Sequence, residues 1–429
     1  MKIMRLLGSI FLFVLAIVIP VFSQSNVNEE QGLKPYGSFH GGDLDTVSLP
    51  SGGLAIHIPL ASFPQRGNLD LSFFLRYSSK GWQVKATPSC YNPNCNPTYT
   101  YRWQPARGIS GAQVVSSLDW WIQTVGTMDP SYYQDVSSPD GNMHQLGGSA
   151  SSGTPVYPAH SLDATGLLRL DANTLVTPNG TRYSYVGGAG TNLTTGIQPT
   201  SVTDANGNQV TIGSSGWTDT IGRVIPGSGG GSAVVQPGVS TSDLSTCPTG
   251  TSSAKLWSVP GVAAVNNGTR TFKFCYSTVT LSTNFQQGTV TEYSPASTSL
   301  LTAIVLPDLT MWTLAYDNYG DVTTLTFPTG GSISYAYATR PVASCGTSWT
   351  ATSRWVTSRT VNANDGTGGH TWTYTYTDTT TTVTSPDGND TVHTYADQFA
   401  PCAPYVTQVQ HYQGSAGSGT LLKTVATQF

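Results

Sequence analysis

Residues 300–320, "LLTAIVLPDLTMWTLAYDNYG", can be laid on the 21 residues that follow, and the apolar and turn positions coincide. Leu301 falls on Val322, Ile304 on Leu325, Leu306 on Phe327 and Pro307 on Pro328. Trp312, Leu314 and Tyr316 fall on Ile333, Tyr335 and Tyr337. A repeat of this length marks a unit that buries its apolar face only by stacking on its neighbours. A looser skeleton has an apolar residue three before a Pro, Gly two after it, and side chains of one parity five and seven after. It returns at residues 136–146, 175–185, 202–212 (with Ala205 in the Pro slot), 383–393 and 47–57. The first repeat departs from it, with Leu309 in the Gly slot.

The pattern predicts a hairpin. Alternation of period two puts one residue set on one face of a strand. Pro donates no ladder hydrogen bond and so starts the turn, and Gly two residues on takes the positive φ that other residues resist. One hairpin alone is marginal in water. Side by side, hairpins make a continuous sheet with a buried aromatic face, for which Trp312, Tyr316, Tyr335, Tyr337, Trp372, Tyr374 and Tyr376 are the expected core. Composition agrees. Only 10% of residues are charged, against about 25% in ordinary soluble domains. Lys and Glu are scarce, while Gly, Thr, Ser and Tyr abound, so strand and turn formers dominate. The net charge of −4 supplies no basic field for nucleic acid.

The N-terminus reads as a secretory signal. Lys2 and Arg5 precede the apolar run 6–21, and "VFSQ" places cleavage after Ser23. The run is short for a bilayer span, and Pro20 breaks its end. Six cysteines in an exported chain suggest disulfides, with 15 connectivities open. The expectation is pairing of sequence neighbours: Cys90 with Cys95, Cys247 with Cys275, Cys345 with Cys402. Zinc ligation is the rival, without a C-x-x-C or a nearby His to favour it.

"AYDNYGDVTTLTFPTGG" resembles the YD repeat of the RHS family, with Tyr316–Gly320 as the near-complete signature and Asp321 where an Arg is usual. "VTDANGNQVTI" and "WTDTIGRVI" look like variants of it, and residues 42–82 resemble the region that precedes the repeats in bacterial members. "LDWWIQ", residues 118–123, looks like the tryptophan-bearing strand that ends that unit. The resemblance implies an all-β fold: stacked antiparallel β-hairpins of YD-repeat type forming a curved sheet or partial shell, with a β-rich N-terminal domain. The expected division is a signal peptide over 1–23, an N-terminal RHS-associated domain over 24–135, divergent hairpins with Gly/Ser-rich loops over 136–299, and a YD-repeat strip over 300–429. Family shells enclose toxin effectors in bacteria and serve adhesion in animals. No D-P-x-G release motif stands near the C-terminus here.

Chemistry-bearing motifs are sparse. There is no G-x-S-x-G, H-E-x-x-H or phosphate-binding loop, and "PGSGGGS" at 226–232 reads as a linker. His144 and His393 fall in strand slots and read as packed or solvated. Asp140, Asp204, Asp308, Asp317 and Asp387 sit beside Pro, Asn or Gly as turn formers. Asp43 and Asp45 read as a strand edge before a Ca²⁺ site, and residues 362–369 as a loop before an ion site. Asn192 and Asn267 head glycosylation sequons. Catalytic, cofactor-binding and metal-binding residues are therefore all expected to be none, with no cofactor. The expected protein is exported to the medium or cell surface and is not an enzyme. Its expected work is shell-building or surface contact, either alone or as the first part of a larger polymorphic-toxin-like protein. Its partner would be a protein or glycan surface, with an encapsulated polypeptide in longer relatives; no nucleic acid and no membrane span after signal cleavage are expected. The alternative is a carbohydrate-binding or glycan-acting β-protein that stacks Trp and Tyr on sugar rings.

Overall fold

Tight turns set much of the architecture, as between Ser201–Thr203 and Gln209–Gly213 and between Met311–Tyr316 and Val322–Thr326. The structure is a computed structural model that describes residues 37–90, 98–105, 111–126, 132–147, 156–163, 165–186, 197–230, 233–261, 268–343, 350–396 and 405–428. Among the described residues there are 33 strands and no α-helix, as the all-β expectation requires. Nine strands over residues 159–237 pair each with the next, and thirteen more do so over 239–426. Chain order is sheet order in both of these successive sheets, together called the strip, except that the short strand Val290–Thr291 leaves the second to pair in parallel with Tyr99–Pro105.

Asp204, Asp219 and Asp317 each open a turn in the same way. The Oδ1 of each accepts the backbone N–H groups two and four residues on, at 2.8–3.0 Å. The residue three after each Asp, Gly207, Gly222 or Gly320, has positive φ. In the Pro-type turns the slot is filled by Gly141, Gly180, Gly330 and Gly388, again all at positive φ. Leu309 holds the same slot at φ 69° with its side chain 67% exposed. The turn geometry is thus imposed by the flanking ladder even where the residue disfavours it.

The 21-residue step has a specific bond behind it. The pairing slips by one residue wherever a strand presents Tyr276, Tyr316 or Tyr337, because the facing strand bulges at Thr302, Thr323 or Thr357. The residue before each bulged Thr offers its carbonyl to the tyrosine of the following strand. Tyr316 Oη donates to Leu301 O at 2.7 Å, Tyr337 Oη to Val322 O at 2.9 Å, and Tyr376 Oη to Val356 O at 2.7 Å. Tyr316 and Tyr337 therefore each pair forward with one bulge and bond backward to the previous one. The bulged Thr302 closes its own site, its hydroxyl donating to Cys275 O at 3.3 Å. Of the expected aromatic core, Tyr335 and Tyr374 are buried, and Trp312, Tyr316, Tyr337, Trp372 and Tyr376 pack against the core half-buried.

The inner face of the strip is covered by the chain's own N-terminal sheet. That sheet comprises Phe39–Gly41, Asp45–Ser48, Leu54–Pro64, Asp70–Ser78 and Gln113–Ser116, paired in that order. Its apolar side joins the strip in one core, where Phe73 meets Trp217 and Trp257, each at 4.8 Å between ring centroids. Asp45 is clamped by Arg359 through two bonds of 2.5 and 2.7 Å and accepts from Tyr335 Oη at 2.9 Å. Lys80 reaches Ser353 Oγ at 2.7 Å, and Thr381 Oγ1 donates to Leu49 O at 2.8 Å. Cys247 is bonded to Cys275, as neighbour pairing expects, and Cys90 is also disulfide-bonded. Cys95, Cys345, Cys402, the signal segment, Asn192 and Asn267 lie outside the described residues.

Replacing Leu309 by Gly removes a left-handed residue that has no buried contacts to lose. The L309G chain should be more stable by about 1 kcal/mol. A higher urea midpoint with an unchanged m-value checks it, and an unchanged or lower midpoint contradicts it.

Candidate functional site

Where the N-terminal sheet leaves the strip, a groove of about 850 Å³ opens. Strand alternation puts Asp70, Ser72 and Phe74 on the groove side of Asp70–Ser78, and His57 comes from the neighbouring strand Leu54–Pro64. The opposite wall is built by two turns, Ser138–Pro139–Asp140 and Thr177–Pro178–Asn179. Arg76 fixes the first of these by donating from Nη1 to Pro139 O at 3.0 Å. Aromatic rings pave the floor. His57 lies 4.2 Å from Phe74, and half-buried Trp120 lies 5.6 Å from Tyr183 and 6.2 Å from His144. Exposed Asn68, Asp70, Asp140 and Asn179 ring the mouth.

One cluster in this wall has the outline of a hydrolytic triad. His144 Nδ1 lies 2.7 Å from Asp163 Oδ2, and His144 Nε2 lies 3.1 Å from Ser138 Oγ. Burial would raise the Asp163 carboxyl, but hydrogen bonds from His144 and Thr165 outweigh it and hold it well below the usual carboxylate range. A nucleophilic serine needs a base free to take its proton and donors free to receive an oxyanion. Ser138 has neither. Its hydroxyl donates to the Asp140 carboxylate, a charge-assisted bond, so its proton is not directed at His144. Asn142 N donates to Asp140 Oδ1 at 3.3 Å and Gly141 N to Ser138 O at 2.9 Å, so the turn's N–H groups are already spent. The Asp140 charge would also repel a developing oxyanion. The cluster is a capped turn, and the arrangement suits binding rather than bond cleavage.

The other residues singled out in the sequence are dispersed. Asp45 lies in the buried clamp with Arg359, away from any Ca²⁺-like set of oxygens. Asp204 and Asp317 cap turns, Asp308 accepts from Thr310, and Asp387 sits in the turn closed by Gly388 N and Ser385 O. Residues 362–369 form a loop braced by Asn362 and Asp365 on their own backbone. Among the described residues, no three His, Cys, Asp or Glu side chains converge as a metal ligand set. Asp321 is the most perturbed carboxyl of the strip: burial and the Asp317 charge push it up against the pull of Arg354. It bonds Arg354 and Tyr77 in a crevice too narrow for a ligand, so it joins the strip to the N-terminal sheet.

No protein-family profile matches the chain, and no curated protein matches it. Among solved structures, the chain is similar to a chain of the crystal structure of TcdB2-TccC3-TEV, at 11% identity and a TM-score of 0.20. The likeness covers 90% of this chain and 24% of the other, so this chain spans about a quarter of that chain's length. A TM-score of 0.20 falls short of a shared fold.

The chemistry of Ser138 gives a direct expectation. A fluorophosphonate probe should leave the folded chain unlabelled from pH 6 to 9. Labelling that disappears in Ser138→Ala would contradict the capped-turn account.

Proposed function

We propose that this is an exported, non-enzymatic β-repeat protein whose work is structural: it builds a closed β body and contacts other surfaces from its outer side. The observation that carries the reading is the use of the strip's inner face. From Asp204 to His393 that face is tied to the chain's own N-terminal sheet, which occupies the place a foreign cargo would take. What remains for other molecules is the outer surface and the grooves at the sheet margins. An RHS-type module of a larger, toxin-like protein is the finer form that the sequence resemblance adds.

A second reading is favoured by the groove at Trp120. Half-buried aromatic rings flanked by amides and carboxylates suit the apolar face and equatorial hydroxyls of a pyranose. This makes glycans the surface partner to test first.

The test uses the full secreted chain. Tagged protein in the source cells should be recovered from the medium or the envelope, and a cytoplasmic pool would overturn the export. On a glycan array, binding weakened at least tenfold by Trp120→Ala supports the glycan partner, and no binding at all removes it. Mass spectrometry of the same glycans after incubation should show no cleavage products, and their appearance would overturn the non-enzymatic reading.

A further inference from the structure

Two sheet edges meet at one end of the molecule. Phe39–Gly41 is the outer strand of the N-terminal sheet, and Asp390–Ala396, Tyr405–Gln413 and Thr420–Ala426 finish the strip. Between them lies a groove of about 840 Å³ with Phe39, Trp372 and Leu422 in its walls. Three of the seven histidines, His40, His393 and His411, line it together.

Each imidazole is held through Nδ1 by a neutral hydroxyl. His40 pairs with Tyr374 Oη at 2.8 Å, His393 with Ser38 Oγ at 3.1 Å and His411 with Thr391 Oγ1 at 3.3 Å. The His40 and His393 bonds cross from the N-terminal segment to the strip, so they form part of the seam itself. Among the described residues, none of the three is hydrogen-bonded to a carboxylate. The charged groups that face them give little compensation. Asp390 lines the groove, but its oxygens accept from Thr384 Oγ1 at 2.6 Å and Ala416 N at 2.8 Å. Asp45 and Arg359 face His40 already paired to each other, and Lys423 stands in register with His411.

We propose that the docking of Phe39–Gly41 on the end of the strip is an acid-released latch, closed while the His40 and His393 imidazoles are neutral and opened when they are protonated. It adds a regulated seam to the structural role above and does not depend on the glycan reading. Burial lowers His40, as does Arg359, while Asp45 opposes; burial lowers His393 to about 4, with His411 and His40 adding to it. The sign follows from linkage. Above pH 6.5 His40 and His393 are neutral in both the closed and the open state, and the closed state has its full stability. As pH falls from about 6.5 towards 4, the open state takes up protons that the closed state excludes. For His393 alone, the bias towards opening at pH 4.5 is on the order of a hundredfold. Opening uncovers the apolar wall that Phe39 and Trp372 share.

The experiment is peptide-resolved hydrogen exchange of the full chain at pH 7.5 and 4.5, corrected for intrinsic exchange rates. Amides of residues 39–48, 390–396 and 405–413 should lose at least tenfold more protection at pH 4.5 than those of residues 311–337. The variant H40N/H393N/H411N, neutral at both values, should keep its protection. His393→Asn alone, the milder change, should move the loss to lower pH. The proposal is overturned by equal protection at both pH values, by loss of protection throughout the molecule together, or by Asn variants that open as the wild type does.

Discussion

A carboxylate and a guanidinium buried between two sheets decide how this molecule is put together. The Asp45 and Arg359 side chains are 1% and 7% exposed, so neither has water to fall back on. Removing one partner of such a pair typically costs about 3–5 kcal/mol, while the pair itself adds little net stability. Its effect is placement. A strip docked one residue out of register would bury Arg359 without Asp45, and Tyr335 would lose its acceptor as well. The repeat can stack by its own rules, but this contact selects where the N-terminal sheet lies against it.

Placement at that point is carried along the strip by the tyrosine ladder. Each of Tyr316, Tyr337 and Tyr376 reaches the carbonyl before a bulged threonine on the preceding strand. A bulge adds local twist, and the hydroxyl ties each bulged site to the next strand. Against the strip pack Phe73 and its neighbours on the N-terminal strands.

Period-two alternation and the Pro-x-Gly and Asp-x-x-Gly turns made the strip legible from the sequence, because strand pairing between consecutive segments is a local property. The 21-residue offset even contained the ladder, since Leu301 and Tyr316 map onto Val322 and Tyr337, although the bond joining them was not evident. Contacts across hundreds of residues left no such trace. Asp45 and Arg359 are 314 residues apart and occupy ordinary strand positions. The Ser138–His144–Asp163 cluster was invisible for the same reason, with only the Ser-Pro-Asp-Gly turn readable in advance. That turn was nevertheless the informative part, because the Asp140 that caps it is what disqualifies the serine as a nucleophile.

Strip and N-terminal sheet share one core and should unfold as one cooperative body. Urea unfolding followed by peptide-resolved hydrogen exchange should give a common midpoint for the strands Asp70–Ser78 and Ser332–Ala343. A strip that stays protected after the N-terminal sheet has exchanged would contradict it.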